Sequence, residues 1–317
     1  MLFALDLHET GCCIMNSSQE TKQTDVERCD GVCSSCQDKE SCADLRALQE
    51  QTEDRMARIK HKIVIGSGKG GVGKSTVTVN LAAVLQSRGY KVGILDADMT
   101  GPDIPKLLGI EDQLLRAGPD GLEPADARGL KVISMALLLK SRDSAVIWRG
   151  PMKMAALKQF LSEVNWGNLD YLLVDLPPGT SDEPISAAQL IRGLDGAIVV
   201  TTPQEVALLD SRKAVNMFLA MGVRVLGIVE NMSGMICPHC GQSIEVFKVG
   251  GGRRAALEID VPFLGAMPLD AKIVGLGDMG QTFIEYETPA AKAFFRVVDA
   301  LLLQLEGRKA LTTCQTP

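Results

Sequence analysis

The chain has 317 residues, 46% of them hydrophobic and 23% charged, which is enough to bury one large α/β core or two small ones. Aromatics make up only 4%, so aliphatic side chains must fill the core, and a net charge of -6 argues against non-specific nucleic-acid binding as the main task. No apolar run reaches the roughly 18 residues of a membrane span, and the first residues carry acids where a secretory leader has a basic region, so a cytoplasmic protein with neither membrane nor nucleic acid as partner is expected.

Residues 1–58 read as a separate cysteine-rich segment, ordered only in part unless a metal fills it. Of the nine cysteines, six lie before residue 43: Cys12, Cys13, Cys29, Cys33, Cys36 and Cys42. An odd count in a reducing compartment disfavours a disulfide framework and points to metal, cluster or redox chemistry. DLRALQEQTEDRMARIKHK, from Asp44, reads as a charged helix leading into the next domain.

From Lys62 the pattern changes. KIVIGS is a short buried strand, and KSTVTVNLAAVLQSRG, from Lys74, is a helix that stops at Gly89. KVGILDAD, LKVISM, YLLVDLPP, GAIVVTTP and VRVLGIVEN are further apolar runs, each followed by a polar turn or a helical stretch. Near-continuous Val/Ile/Leu strands alternating with helices predict an α/β domain over 59–306: a mostly parallel sheet with helices on both faces. EYETPAAKAFFRVVDALLLQL closes it as an amphipathic helix, and 307–317 form a tail in which Cys314 is incidental. There is no internal repeat.

Residues 66 to 76, GSGKGGVGKST, carry the chemistry. Gly68-x4-Gly73-Lys74-Ser75 fits the P-loop pattern, with a strand before it and a helix after it. Glycines let the backbone N–H groups of Gly68, Lys69, Gly70, Gly71, Val72 and Gly73 turn inward around phosphates, and the helix N-terminus adds its dipole. Lys74 is placed to neutralise the β- and γ-phosphates of ATP, Ser75 to ligate Mg²⁺ and Thr76 to touch the α-phosphate. Two acids at strand ends fit the same site, since open α/β sheets bind ligands at the carboxyl ends of their strands. Asp98, with Asp96 beside it, is placed to orient an attacking water. Asp175 is the Walker B-type acid for the Mg²⁺ shell, and PPGTSDE after it reads as a switch loop sensing the γ-phosphate.

One lysine suffices for a P-loop, yet this one has two. KGGVGKST resembles the deviant Walker A loop of the MinD/ParA/nitrogenase-iron-protein class, the SIMIBI type of P-loop NTPase. That resemblance implies that Lys69 reaches across a dimer interface to the partner's nucleotide, as an arginine finger does. It also implies an adenine contact for Asn231.

Cys237-Pro-His-Cys240 supplies two thiolates from one chain, whereas zinc or a cluster needs about four ligands. A symmetric dimer completes the set if this loop lies near the two-fold axis. His239 reads as a loop residue rather than a ligand. DADMTGPDIP, DLPPGTSDE and NMSGMICPHCG, in this order, resemble the Mrp/ApbC/Nbp group of iron–sulfur cluster carrier ATPases over roughly residues 60 to 300. The resemblance implies a homodimer, or a paralogue heterodimer, with a labile [4Fe–4S] cluster bridged by Cys237 and Cys240 and delivered to apo-proteins. A zinc knuckle is the alternative. Cys29, Cys33, Cys36 and Cys42 resemble the N-terminal cluster segment of longer family members. The last three match the eukaryotic spacing, which would put the first cysteine at Gln19. Cys29, Cys12 and Cys13 therefore remain alternatives for the first ligand, and zinc for the metal. Two other classes stay open: a positioning ATPase of the MinD/ParA type, and an ATP-dependent iron–sulfur reductase.

Overall fold

The computed structural model describes residues 51–139, 148–237 and 239–313. The N-terminal cysteines and Cys314 lie outside them, as do residues 44–50 of the helix expected from Asp44; residues 51–57 are helical, and the expected helix ends there because residues 59–67 form a strand.

The first strand, β1 (Ile59–Ser67), feeds through the glycine loop into α1 (Lys74–Ser87). Then come β2 (Val92–Asp96), the short α2 (Ile104–Leu108), β3 (Arg116–Gly118), β4 (Gly121–Glu123), β5 (Ala125–Ala127) and β6 (Leu130–Ser134). They are followed by α3 (Gly150–Glu163), β7 (Leu169–Asp175), α4 (Asp182–Leu190), β8 (Gly196–Thr201), α5 (Glu205–Ala220) and β9 (Val225–Glu230). The chain ends with β10 (Met235–Ile236), β11 (Ser243–Ile244), α6 (Gly251–Glu258), β12 (Phe263–Ala266), α7 (Ala271–Asp278) and α8 (Pro289–Thr313). The last helix continues past residue 306, where the sequence predicts a tail.

Eight strands form one sheet in the order β12-β9-β8-β1-β7-β2-β6-β5, parallel throughout except for β5, which runs antiparallel to β6. The period of two along each strand explains why the runs look uniformly apolar. Ile63 and Ile65 face one core with Ile94, Leu173, Ile198 and Val200, while Val64, Leu95, Leu172, Val174 and Val199 face the other. Helices α1, α2, α7 and α8 cover the first face and α3, α4, α5 and α6 the second. Truncating a side chain such as Leu173 to Ala costs about 2–5 kcal/mol at buried positions of this kind. Parallel pairing also aligns the strand ends. Asp96 lies opposite both Ser134 and Asp175, and Thr201 lies opposite Glu230. These five residues, with Ser67, are buried polar groups along one end of a sheet whose buried strand positions are mostly aliphatic. Such groups persist only when they are hydrogen-bonded, and their bonds define the site.

Candidate nucleotide site and cysteine hairpin

The loop between β1 and α1 bends at Gly71 (φ 77°) and Gly73 (φ 83°), backbone conformations that glycine adopts without a steric penalty. Two glycines are also demanded by close approach. A Cβ on Gly68 would sit 2.2 Å from the Asp210 backbone on α5, and one on Gly73 would sit 2.3 Å from Nδ2 of Asn231. The loop is thus wedged between α5 and the end of β9. Val72 is its buried apolar residue, while Gly70 and Gly71 are exposed.

Lys74, at the first turn of α1, is 7% exposed, and its Nζ donates to Oδ2 of the fully buried Asp175 at 2.5 Å. Ser75 Oγ donates to the same oxygen at 2.7 Å, and Thr78 Oγ1 to Oδ1 at 2.6 Å. A buried charge is tolerated when it is paired and its remaining positions are filled, and removing one partner costs about 3–5 kcal/mol. The structure therefore brings Lys74, Ser75 and Asp175 together. Thr78 joins them although the sequence reading did not single it out. Its spacing of four from Lys74, one helical turn on the same face, was the available signal.

Asp96 accepts from Ser134 Oγ at 2.9 Å and from the Asp98 backbone N–H at 3.2 Å. Burial first, and the charge of Asp175 second, push the Asp96 carboxyl well above the ordinary aspartate range, against the opposing pull of Lys74 and Ser134. Burial also raises Asp98, against the Gly101 N–H and the charge of Lys74. Asp98 is not hydrogen-bonded to the lysine cluster. Its Oδ1 holds its own turn through Thr100 N–H and Gly101 N–H, at 3.3 and 3.2 Å. Lys153, a buried residue of α3, donates to Thr100 Oγ1 at 2.9 Å and to Glu183 Oε1 at 2.7 Å. It ties the Asp98 loop to the first turn of α4, which follows the loop after Asp175, a link invisible in sequence because three separate segments meet there. The second loop also touches the phosphate loop, since Gly179 N–H donates to the Ser67 carbonyl at 2.8 Å.

Lys69 is half-buried, and its own carbonyl accepts from Ser67 Oγ at 3.0 Å. Thr76 is half-buried on α1, its carbonyl accepting from Asn80. Asn231 is buried, and its Nδ2 donates to the Val72 carbonyl at 2.9 Å, so it braces the loop from behind.

Cys237 and Cys240 sit at the tip of a two-stranded hairpin, β10 against β11, closed by Cys237 N–H to the Gln242 carbonyl and Gly241 N–H to the Cys237 carbonyl, both at 2.9 Å. Cys240 is exposed and Cys237 half-buried, and neither is in a disulfide. The backbone N–H groups of Cys240 and His239 point at the Cys237 sulfur and lower its pKa, as does the Cys240 thiol. Amides turned toward a sulfur favour the thiolate, the form that binds metal. Among the described residues no group of three or more candidate ligands converges, so this chain offers two thiols here rather than four.

A glycine loop between strand and helix, a lysine on a strand-end aspartate, and parallel strands on both sides define a P-loop NTPase of the MinD/ParA fold. A solved nucleotide-binding protein from Archaeoglobus fulgidus, in complex with ADP, superposes with a TM-score of 0.68 at 40% identity, covering 78% of this chain and 95% of that one. MinD from Aquifex aeolicus shares the fold at a TM-score of 0.54 and 23% identity, over 76% of this chain and 96% of that one. The chain belongs to the NUBPL iron-transfer P-loop NTPase family of the ParA group, whose sequence model matches residues 58–302. It is 48% identical over 289 residues to the iron-sulfur cluster carrier protein of Methanocaldococcus jannaschii, covering 90% of this chain and all of that one. It is 50% identical over 226 residues to the cytosolic Fe-S cluster assembly factor CFD1 of Saccharomyces cerevisiae, covering 69% and 77% respectively.

Proposed function

We propose that this chain is a cytoplasmic ATPase that takes up an iron–sulfur cluster and passes it to apo-proteins, working as a homodimer or with a paralogue. The observation that carries the reading is a pair of thiols, Cys240 exposed and Cys237 half-buried, on a hairpin that follows directly on Asn231, the residue that braces the phosphate loop. Two ligands per chain suit a [4Fe–4S] cargo shared across a two-fold axis and released when that axis opens.

Each site residue then has a task. Backbone N–H groups of residues 68–73 cradle the phosphates, and Lys74, drawn from Asp175, neutralises them. Ser75 and Asp175 bring a hydroxyl and a carboxylate oxygen within 2.7 Å of each other, a donor set that suits a hard divalent cation. They would hold Mg²⁺, which supplies charge neutralisation at the phosphoryl oxygens. Asp98 orients the attacking water, Thr76 meets the α-phosphate and Asn231 borders the adenine. Lys69 serves the partner's nucleotide. Cys33, Cys36 and Cys42 of the N-terminal segment, with Cys29, Cys12 or Cys13 as the first ligand, bind a second cluster within one chain, zinc being the alternative metal.

Anaerobic reconstitution with iron and sulfide, followed by metal counting and transfer to an apo-ferredoxin, tests the reading. Cluster uptake per dimer with nucleotide-sensitive transfer is expected. Tight zinc binding with refusal of iron and sulfide overturns it, and ATP-dependent reduction of a partner without cluster transfer favours the reductase instead.

A further inference from the structure

We propose that Asn231 and Glu230 are positioning residues that tie the cysteine hairpin to the phosphate loop, so that nucleotide at the P-loop changes the exposure of Cys237 and Cys240. The proposal rests on the carrier reading for its purpose, not for its geometry.

The side chain of Asn231 bonds at both ends. Its Nδ2 donates to the Val72 carbonyl in the phosphate loop, and its Oδ1 accepts from Met232 N–H, each at 2.9 Å. Met232 holds φ at 57°, a left-handed conformation uncommon for a non-glycine residue, and Gly234 follows at 66°. The hairpin arm thus leaves the sheet through a turn whose first amide is fastened to the same side chain that reads the loop. One residue earlier, the fully buried Glu230 grips both legs of the excursion. It accepts from Ser233 Oγ on the outgoing leg, from Gly250 N–H at 2.9 Å on the returning leg, and from Gly252 N–H in the first turn of α6. Gly250 caps α6 and has no side chain to do so, so the helix takes its capping carboxylate from β9. The outgoing leg is also held at its base by Ser233 N–H to the Met267 carbonyl at 2.8 Å and by Leu269 N–H to the Gly234 carbonyl at 2.7 Å, and beyond these bonds the described residues of the hairpin form two two-residue strands and an exposed tip. A shift of the Val72 carbonyl as the loop closes on phosphate pulls on Asn231. Through Met232 that pull reaches a lever pivoting on Glu230.

The test is alkylation of the full-length protein with iodoacetamide, reading by mass spectrometry the peptide of residues 225–248, which holds only Cys237 and Cys240 among the cysteines. No cluster is needed, so the result is independent of whether iron is taken up. In the wild type, saturating Mg·ADP or a non-hydrolysable ATP analogue should change the alkylation rate at least about fivefold, the low end of ordinary couplings between sites. Asn231→Asp keeps the acceptor for Met232 N–H but has no donor for Val72. At a nucleotide concentration shown by direct binding to saturate the variant, it should lose the response. Glu230→Gln turns an amide toward one of the donors and should raise the nucleotide-free rate. Ser233→Ala, which removes one donor only, should do the same more weakly if Glu230→Gln fails to fold. An unresponsive wild type overturns the proposal. So does a full response in Asn231→Asp, which would mean that a partner subunit covers the thiols directly. Failure to bind iron, with the linkage intact, would overturn the carrier reading alone.

Discussion

The nucleotide site and the cysteine hairpin are joined by a few residues and built on opposite principles. Lys74, Ser75, Thr78 and Asp175 are packed at strand and helix ends and satisfy one another within a single chain. The hairpin holds its two thiols at the surface, with Ile236, Ile244, Val246 and Val249 exposed around them at 42–52%. Charges that act on phosphate gain strength from a fixed, water-poor setting. On the proposed carrier reading the hairpin is a cargo site that has to let go, and two surface thiols per chain, short of a full ligand set, suit that task. Rigidity and incompleteness are each what the task at that place requires.

The sharpest way to break the comparison is to remove each site in turn. Lys74→Ala should abolish ATP hydrolysis, a loss of about a hundredfold or more, while leaving iron uptake at the hairpin intact. Cys237→Ala or Cys240→Ala should each abolish one cluster per dimer, leave any N-terminal cluster, and keep nucleotide affinity. Unchanged hydrolysis in Lys74→Ala, or unchanged iron in both cysteine variants, would separate the sites from their assigned tasks.

Next in size is the role across the dimer. Lys69→Ala should bind ATP yet hydrolyse it about a thousandfold more slowly, by analogy with arginine fingers. Mixing Lys69→Ala with Asp98→Ala subunits should restore activity, since one composite site in each mixed dimer is intact. No recovery under proven subunit exchange rules out action in trans.

A smaller effect sharpens the buried side. Thr78→Val leaves Asp175 Oδ1 without its donor and should cost about 1–3 kcal/mol, read as a lower melting temperature. The hairpin thiols should alkylate at the wild-type rate. The smallest effect is in pH. Burial holds the Asp98 carboxyl above its usual 3.8, so in the folded protein it takes up a proton at a higher pH than an exposed aspartate does. A water-orienting carboxylate must be ionised. Hydrolysis should therefore fall as pH drops through that raised value, and a limb at or below 3.8 in the kcat profile would contradict the assignment.

Sequence alone determined the parts governed by local rules. Strand-length, near-continuous Val/Ile/Leu runs alternating with helical stretches read as strands of a covered parallel sheet, and β1, β2, β6, β7, β8 and β9 were all legible. The glycine loop, its lysines and the strand-end acids follow one another at fixed spacing, so their chemistry was readable as text. Tertiary structure decided what depends on meeting across the chain. β12 and the antiparallel β5 are too short and too weakly patterned to stand out, and pairing with β9 and β6 makes them strands. Gly68 is glycine because α5 passes behind it, and Gly73 because Asn231 does. The bonds of Lys153 to Thr100 and Glu183, and the grip of Glu230 on both legs of the hairpin, join segments from about twenty to fifty residues apart. A hydrogen bond requires donor and acceptor within about 3 Å, and only the folded chain brings such residues that close.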